Sequence, residues 1–483
     1  MSSIQKDLGD RLKDLLGPSG WVDPSEASAY TRDWLDRIGN PPLLVVRPRQ
    51  TADVAQIVTL CAAVGIPLVP QGGNTSLCGG AVAASAGSVI LSLERMSRIG
   101  PVNASAGCVE VEAGCVLSNL HAALSDEDLM FPLHLGAEGS AQIGGLISTN
   151  AGGSMAFRFG TMADLVLGLE VVLPDGRVWN GLRKVQKDNA GYQLRRVFAG
   201  AEGTLGIITR AVLRTWLRPR QTATALLAVP DMEALLRIGA HMRRDLGDLL
   251  SVLEFISDAG VDMALRNIDG LQFPLDSRAP FYLLTEVAAG SDRIAVSDLL
   301  EGCLTYGFEE GLISDGVVAM SGTQREALWR LREEQPEGQR LEGRQLKHDI
   351  SLPPDTIGAF LAQIEGVLED MSPGLRINPF GHLADGNIHF NLSPPKGKDF
   401  GSSAGAISEA IYGMVEDMGG SFAAEHGLGR TKATLADALR SPVERELMRR
   451  IKVSLDPGLV LNPDVITTQP ACDAVGKQEG KNA

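Results

Sequence analysis

The sequence lacks the patterns that would send a chain out of the cell or into a membrane. Met1 to Asp10 mixes polar and charged residues without an apolar h-region, so no secretory signal is expected. The most apolar stretches, Val54 to Pro70 and Leu165 to Pro174, are too short or too polar to span a bilayer. Cysteine is sparse. The six cysteines, Cys61, Cys78, Cys108, Cys115, Cys303 and Cys472, include no CxxC pair, which argues against a zinc knuckle or a redox dithiol. In so long a chain they predict free thiols in a reducing compartment. Basic residues are outnumbered, 44 Lys and Arg against 59 Asp and Glu, for a net charge of −15. Nucleic acid and anionic lipid are therefore disfavoured partners. An acidic substrate is repelled too, so any site for one must be locally basic. The expectation is a cytoplasmic homodimer without a membrane span.

Common nucleotide motifs are also missing. The only G-x-G, Gly427 and Gly429, is followed by Lys432 where a Rossmann loop needs its last glycine. No GxxxxGK[ST] occurs, no HExxH, and no repeat at solenoid periods. What remains is an ordinary apolar fraction of 44% in 483 residues, too long for one core, so two or three domains are expected.

The coarse pattern is α+β. Helices are expected over 4–16, 25–36, Thr51 to Val64 with Thr51 as N-cap, Met232 to Leu246 and Glu444 to Val453. Strands are expected over Leu43 to Arg47, Pro67 to Pro70, Ser88 to Ser92, Cys108 to Glu112 and Leu165 to Leu173, the last running into an Asp175-Gly176 turn. Arg376 to Ser393 is again strand-like.

Glycine is abundant and clustered. Pro70-Gln71-Gly72-Gly73-Asn74-Thr75-Ser76-Leu77-Cys78-Gly79-Gly80 follows a strand. Glycines let backbone N–H groups converge on phosphate oxygens, and Asn74, Thr75 and Ser76 add side-chain donors. A plain glycine-rich turn explains this loop equally well. Two further runs break the tie: Gly139-Ser140-Ala141-Gln142-Ile143-Gly144-Gly145 with Ser148-Thr149-Asn150-Ala151-Gly152-Gly153, and Ala199 to Ile208. Three such runs suggest backbone wrapped closely around a large, flat ligand.

These segments resemble the FAD-binding domain of the vanillyl-alcohol-oxidase type flavoproteins. The resemblance implies that Gly72, Gly73, Asn74, Thr75, Ser76 and Gly79 hold the FAD pyrophosphate. It places Gly139, Ser140, Gly144, Gly145 and Asn150 along the isoalloxazine and ribityl chain, and Glu202 and Ile207 towards the adenine. Asn462, in Leu461-Asn462-Pro463, resembles a return strand that touches the flavin again. His134 is the only histidine near these loops and reads as a packing residue, so FAD is expected to be non-covalent.

Four of the seven histidines fall between His348 and His426. In Gly381-His382-Leu383-Ala384-Asp385-Gly386-Asn387-Ile388-His389 a two-residue type I′ turn at Asp385-Gly386 would pair His382 with His389. Opposed Cβ atoms lie about 5 Å apart, so two imidazoles could converge on one metal. Asn391 shares a face with His389. Solvated hairpin histidines are the plainer explanation for this segment alone. Glu425-His426-Gly427 adds a third ligand and a free base; two His, one Glu and an open position match a catalytic zinc site, and Mn²⁺ or Fe²⁺ suit the same ligands.

The two runs resemble the D-2-hydroxyglutarate, D-lactate and glycolate dehydrogenases that share a C-terminal FAD-linked oxidase domain. The resemblance implies metal ligands at His382, His389 and Glu425, a base at His426, and carboxylate contacts at Arg332 and Lys347, with Asn391 beside them. One position departs: Pro336 stands where eukaryotic members have a hydroxyl residue. The implied domains are a helical segment 1–40, an FAD-binding domain 41–218, a substrate- and metal-binding domain 219–443, a segment 444–466 packing back on the FAD domain, and a disordered tail 467–483. The implied chemistry is oxidation of a small 2-hydroxy acid, D-2-hydroxyglutarate by preference. The C2 hydride passes to flavin N5 and the hydroxyl proton to His426, and electrons then leave to an electron-transfer flavoprotein or a quinone. D-lactate or glycolate oxidation is the alternative. A non-catalytic flavin subunit would need no His/His/Glu set.

Overall fold

The computed structural model describes residues 2–34, 38–83 and 85–468. Expectations for Leu35 to Arg37, for Cys472 and for most of the 467–483 tail fall outside them. No helix among the described residues is long and apolar enough to cross a membrane.

The glycine-rich half builds two four-stranded sheets on one core, with a two-stranded pairing of Leu129–Met130 and Trp216–Leu217 beside them. Leu44–Val46, Val89–Ser92 and Leu68–Gln71 run parallel, with Trp21–Val22 antiparallel at the edge. Cys108–Glu112, Ile207–Arg214, Val166–Val172 and Val178–Gly181 form an antiparallel sheet in that order. Helix Thr51–Val64 buries Val54, Ile57, Val58 and Cys61 against this core. Thr51 does not cap it. Gln50 occupies that position, and Thr51 Oγ1 donates to Glu170 Oε1 at 2.6 Å. The helix expected over 25–36 is reduced to a 3₁₀ turn at Pro24–Glu26 and Ser28–Thr31. Five cysteines are free and buried.

The second half is one seven-stranded antiparallel sheet. Its order is Asp315–Val318, Gln221–Val229, Phe281–Ala289, Leu250–Ser257, Arg376–His382, Asn387–Ser393 and Leu346–Ser351. Strand side chains alternate between faces. One face carries Leu253, Phe255, Ile350, Ile388, Phe390 and Leu392 into a core with helices Met232–Leu246, Ile357–Met371 and Ala404–Asp417. The other face carries Glu254, Asn378, His382, Lys347, Asp349, His389 and Asn391. The register sets them side by side: Glu254 opposes His382, His389 opposes Asp349, and Asn391 opposes both Asn378 and Lys347.

Helix Pro442–Leu455 returns to the glycine-rich half, where Lys452 Nζ donates to the carbonyls of Thr204 and Leu461. The expected return strand at Asn462 is a single parallel bridge between Leu68 and Leu461.

Candidate active site

The hairpin that bears the two histidines is not the one expected. His382 opposes Asn387, and Phe380 opposes His389. The turn spans Leu383 to Gly386, closed by Gly386 N–H donating to the His382 carbonyl at 3.1 Å. Leu383 and Ala384 leave the strand because both are buried in the core beneath. Leu383 N–H bonds the Leu253 carbonyl, and Arg243 Nη1 bonds that of Ala384. The slip is by two residues, which preserves the face, so His382 and His389 become diagonal neighbours with ring centroids 5.7 Å apart.

Glu425 arrives from the loop beside Leu346–Ser351. One ligand atom from each of His382, His389 and Glu425 lies within 4.8 Å of the others. The amides of Glu425 and His426 both donate to Asp349 Oδ2, at 2.8 and 2.9 Å, and fix the loop. His426 Nδ1 lies 3.3 Å from the same oxygen, and its ring stacks 6.2 Å from that of His389.

Two carboxylates without an expected role organise this cluster. Glu254 is buried and bridges, with Oε1 on His382 Nδ1 and Oε2 on Arg332 Nε at 2.8 Å. Asp349 reaches His426 and, at 3.9 Å, His389 Nδ1. Both could have been noticed in the sequence: Glu254 is a lone charge in the apolar run Leu250–Ser257, and Asp349 is two residues from Lys347 on one strand.

Electrostatics favour a cation at this spot. Burial opposes ionisation of Glu425, yet the three histidines hold its carboxyl far below the usual range. Burial also works against charge on His382, but Glu254 and Glu425 raise it well above an ordinary histidine. Its Nε2, 3.5 Å from Glu425 Oε1, thus carries a proton where an ion would sit. His389 is pushed down to about 4 by burial, so it is neutral and offers a lone pair. A divalent ion displacing the His382 proton satisfies all three ligands, so the donor set fits such an ion.

Arg332 and Lys347 reach the same face but not as two unpaired cations. Arg332 is nearly buried, paired with Glu254 and stacked 4.7 Å over Phe380. Lys347 is half-buried on the face that holds Asp349. Asn391 Nδ2 donates to Gln339 Oε1 at 2.8 Å. Pro336 is exposed in the first turn of helix Gln335–Leu341, where its missing N–H is harmless.

The glycine loops meet beside this cluster. A Cβ on Gly73 would stand 1.9 Å from the Ser140 carbonyl, and one on Gly72 3.6 Å from the Gly145 Cα. A Cβ on Gly144 would stand 2.7 Å from that of Ala113. Asn74, Asn150, Glu202 and Asn462 all have positive φ, a costly conformation that clusters at ligand sites. Asn74 Oδ1 and Gln142 Oε1 are buried without partners. Close-packed backbone with orphaned polar atoms fits a nucleotide cofactor. Glu202 and Asn462, however, have protein partners. Glu202 accepts from the amides of Leu428 and Gly429 at 2.9 and 3.0 Å, and burial pushes its carboxyl up to about 7. Asn462 Nδ2 donates to the carbonyls of Gly80 and Glu202. Ile207 is a buried strand residue opposite Val172. Asn150 Oδ1 accepts from Ala163 N–H at 2.9 Å, and Ser76 Oγ from Cys78 N–H at 3.3 Å.

Known proteins match nearly the whole chain, up to 97% of it. A family described as "FAD binding domain" matches residues 42–181, and one described as "FAD linked oxidases, C-terminal domain" matches 218–466. The mitochondrial D-2-hydroxyglutarate dehydrogenase of Arabidopsis thaliana is 36% identical over 96% of this chain and 82% of its own length. The D-2-hydroxyglutarate dehydrogenase of Xanthomonas citri pv. viticola is also 36% identical, over 92% of this chain and 93% of its own. p-Cresol methylhydroxylase shares the fold, with a TM-score of 0.76 at 16% identity over 97% of this chain and 98% of its own. The expectation of a cytoplasmic protein falls here, because the Arabidopsis relative is mitochondrial by name. A missing h-region bears only on secretion and does not separate those two compartments.

Proposed function

The chain belongs to the D-2-hydroxyglutarate dehydrogenase family of FAD-linked oxidases and is an FAD-dependent oxidoreductase acting on CH–OH donors, and we propose that its substrate is D-2-hydroxyglutarate, oxidised to 2-oxoglutarate with the help of a divalent metal. The observation that carries this reading is the convergence of His382, His389, Glu425 and His426 on one sheet face with Arg332 and Lys347.

Bound FAD supplies the two-electron acceptor, and a bound ion, zinc by preference, supplies Lewis acidity at the hydroxyl. His382, His389 and Glu425 would hold the ion. His426 takes the hydroxyl proton on a ring nitrogen, and Asp349 keeps its imidazole in place through Nδ1. Lys347 and Arg332 grip carboxylate oxygens and set the position of C2, with Asn391 beside them. Glycines 72, 73, 79, 139, 144 and 145 let the backbone close on FAD without a covalent link. An electron-transfer flavoprotein or a quinone then takes the electrons.

A monocarboxylate substrate draws on one observation, the prior pairing of Arg332 with Glu254. Turnover of D-2-hydroxyglutarate, D-malate, D-lactate and glycolate with a dye acceptor separates the readings. The proposal expects the dicarboxylates to lead in kcat/KM and to bleach the flavin. Equal or better turnover of D-lactate or glycolate overturns it.

A further inference from the structure

A second cluster of metal-ligating side chains lies in the glycine-rich half, outside the candidate active site. His121 sits on helix Leu117–Ser125, and His134 and Glu138 lie in the loop that leads into Gly139. One ligand atom from each lies within 4.8 Å of the others. The two imidazoles stack at 4.7 Å with planes 5° apart. Two histidines and a carboxylate match borderline transition ions and suit calcium or magnesium poorly.

The geometry is held from outside the cluster. His121 Nε2 lies 3.0 Å from the Leu133 carbonyl and 3.9 Å from Glu138 Oε2, so the ring is held with that nitrogen towards the carboxylate. Glu138 Oε1 accepts from the Leu135 amide at 3.2 Å and lies 2.8 Å from His134 Nδ1. The Glu138 carbonyl accepts from the Ser118 amide at 3.1 Å, which pins the loop to the helix one turn from His121. Side-chain exposures of 48% for His134 and 30% for Glu138 leave an entry path for an ion. Across the boundary, Glu333 lies near enough for the charges of Glu138 and His134 to act on it.

We propose that His121, His134 and Glu138 form a second divalent transition-metal site, distinct from that of His382, His389 and Glu425. Binding displaces the proton shared between His134 Nδ1 and Glu138 Oε1 to solvent and leaves water to complete the coordination.

Zinc titration of the metal-stripped, FAD-loaded protein, followed by calorimetry and metal analysis after desalting, tests this. The wild type should bind two equivalents. His134→Gln and, independently, Glu138→Gln should each bind one and keep their turnover, which also reports folding. His389→Ala should lose the other equivalent and keep this one. A single equivalent in the wild type that survives both His134→Gln and Glu138→Gln overturns the proposal. A single equivalent lost in those variants and kept in His389→Ala supports it and removes the metal from the proposed function.

Discussion

The amide of Gly153 donates to Glu425 Oε1 at 2.8 Å, so a glycine of the FAD-binding half aims a carboxylate of the other half. Gly153 has φ +97°, and a Cβ there would meet the His134 carbonyl at 2.4 Å. Gly153→Ala must therefore move the amide away from Glu425. Losing a partner around a metal ligand costs about 10- to 100-fold in metal affinity. The expected outcome is that scale of loss in zinc affinity, read by activity against free zinc, with FAD content unchanged. Unaltered zinc dependence would show that this contact does not orient the ligand.

Chelation should separate the metal from the flavin. The proposed metal ligands His382 and His389 stand on one face of the seven-stranded sheet, while the glycine loops that fit FAD belong to another core. EDTA should lower turnover by more than about 100-fold, given that outer-shell partners alone are worth up to that much. The protein should stay yellow, and acid or heat should then release the FAD. His389→Ala and Glu425→Ala should reproduce the loss. Full turnover in a sample free of metal by elemental analysis would refute the metal's role.

His348 should govern acid stability. It is buried, with Nδ1 2.9 Å from the Phe390 carbonyl and Nε2 2.9 Å from Ser408 Oγ. Burial pushes its pKa down to about 4 from 6.5. The unfolded chain then binds the proton more tightly, so stability is full above 6.5 and is lost as pH falls towards 4. The loss is about 3 kcal/mol from this group. Melting temperature measured between pH 7 and pH 4 should fall less steeply in His348→Gln than in the wild type. Equal slopes would show that His348 does not set the transition.

Much of this arrangement was legible because its causes are local. Glycine in place of a side chain at Gly73 or Gly144 is a demand of backbone contact, visible as composition. His382 and His389 stand in one short hairpin, so their proximity survived an error of register. The error arose because Leu383 and Ala384 are drawn into a core built by helix Met232–Leu246, which no turn rule sees. The bridging roles of Glu254 and Asp349 rest on partners distant in sequence. Glu202 is expected at the cofactor from the resemblance alone, and its bonds to Leu428 and Gly429 depend on how the two halves dock.

The pairing of Arg332 with Glu254 decides which cation can report on substrate choice. Removing Arg332 breaks a buried ion pair and leaves Glu254 to His382, and breaking such a pair costs up to about 3–5 kcal/mol. An Arg332→Ala variant would confuse folding with specificity. Lys347 is half-buried on an edge strand of the sheet, so its truncation should be tolerated. It shares a face with Asp349 and opposes Asn391, which sets it one strand step beyond the pair Asp349 and His389. A substrate chelated through its hydroxyl and α-carboxylate would extend its second carboxylate towards that position. Lys347→Ala should then lower kcat/KM for D-2-hydroxyglutarate by about 30- to 1000-fold, the worth of a charge-assisted contact of about 2–4 kcal/mol. D-lactate, which has no second carboxylate, should change little. If both substrates fall in parallel, Lys347 holds the α-carboxylate they share, and selection for the dicarboxylate must come from elsewhere on the face.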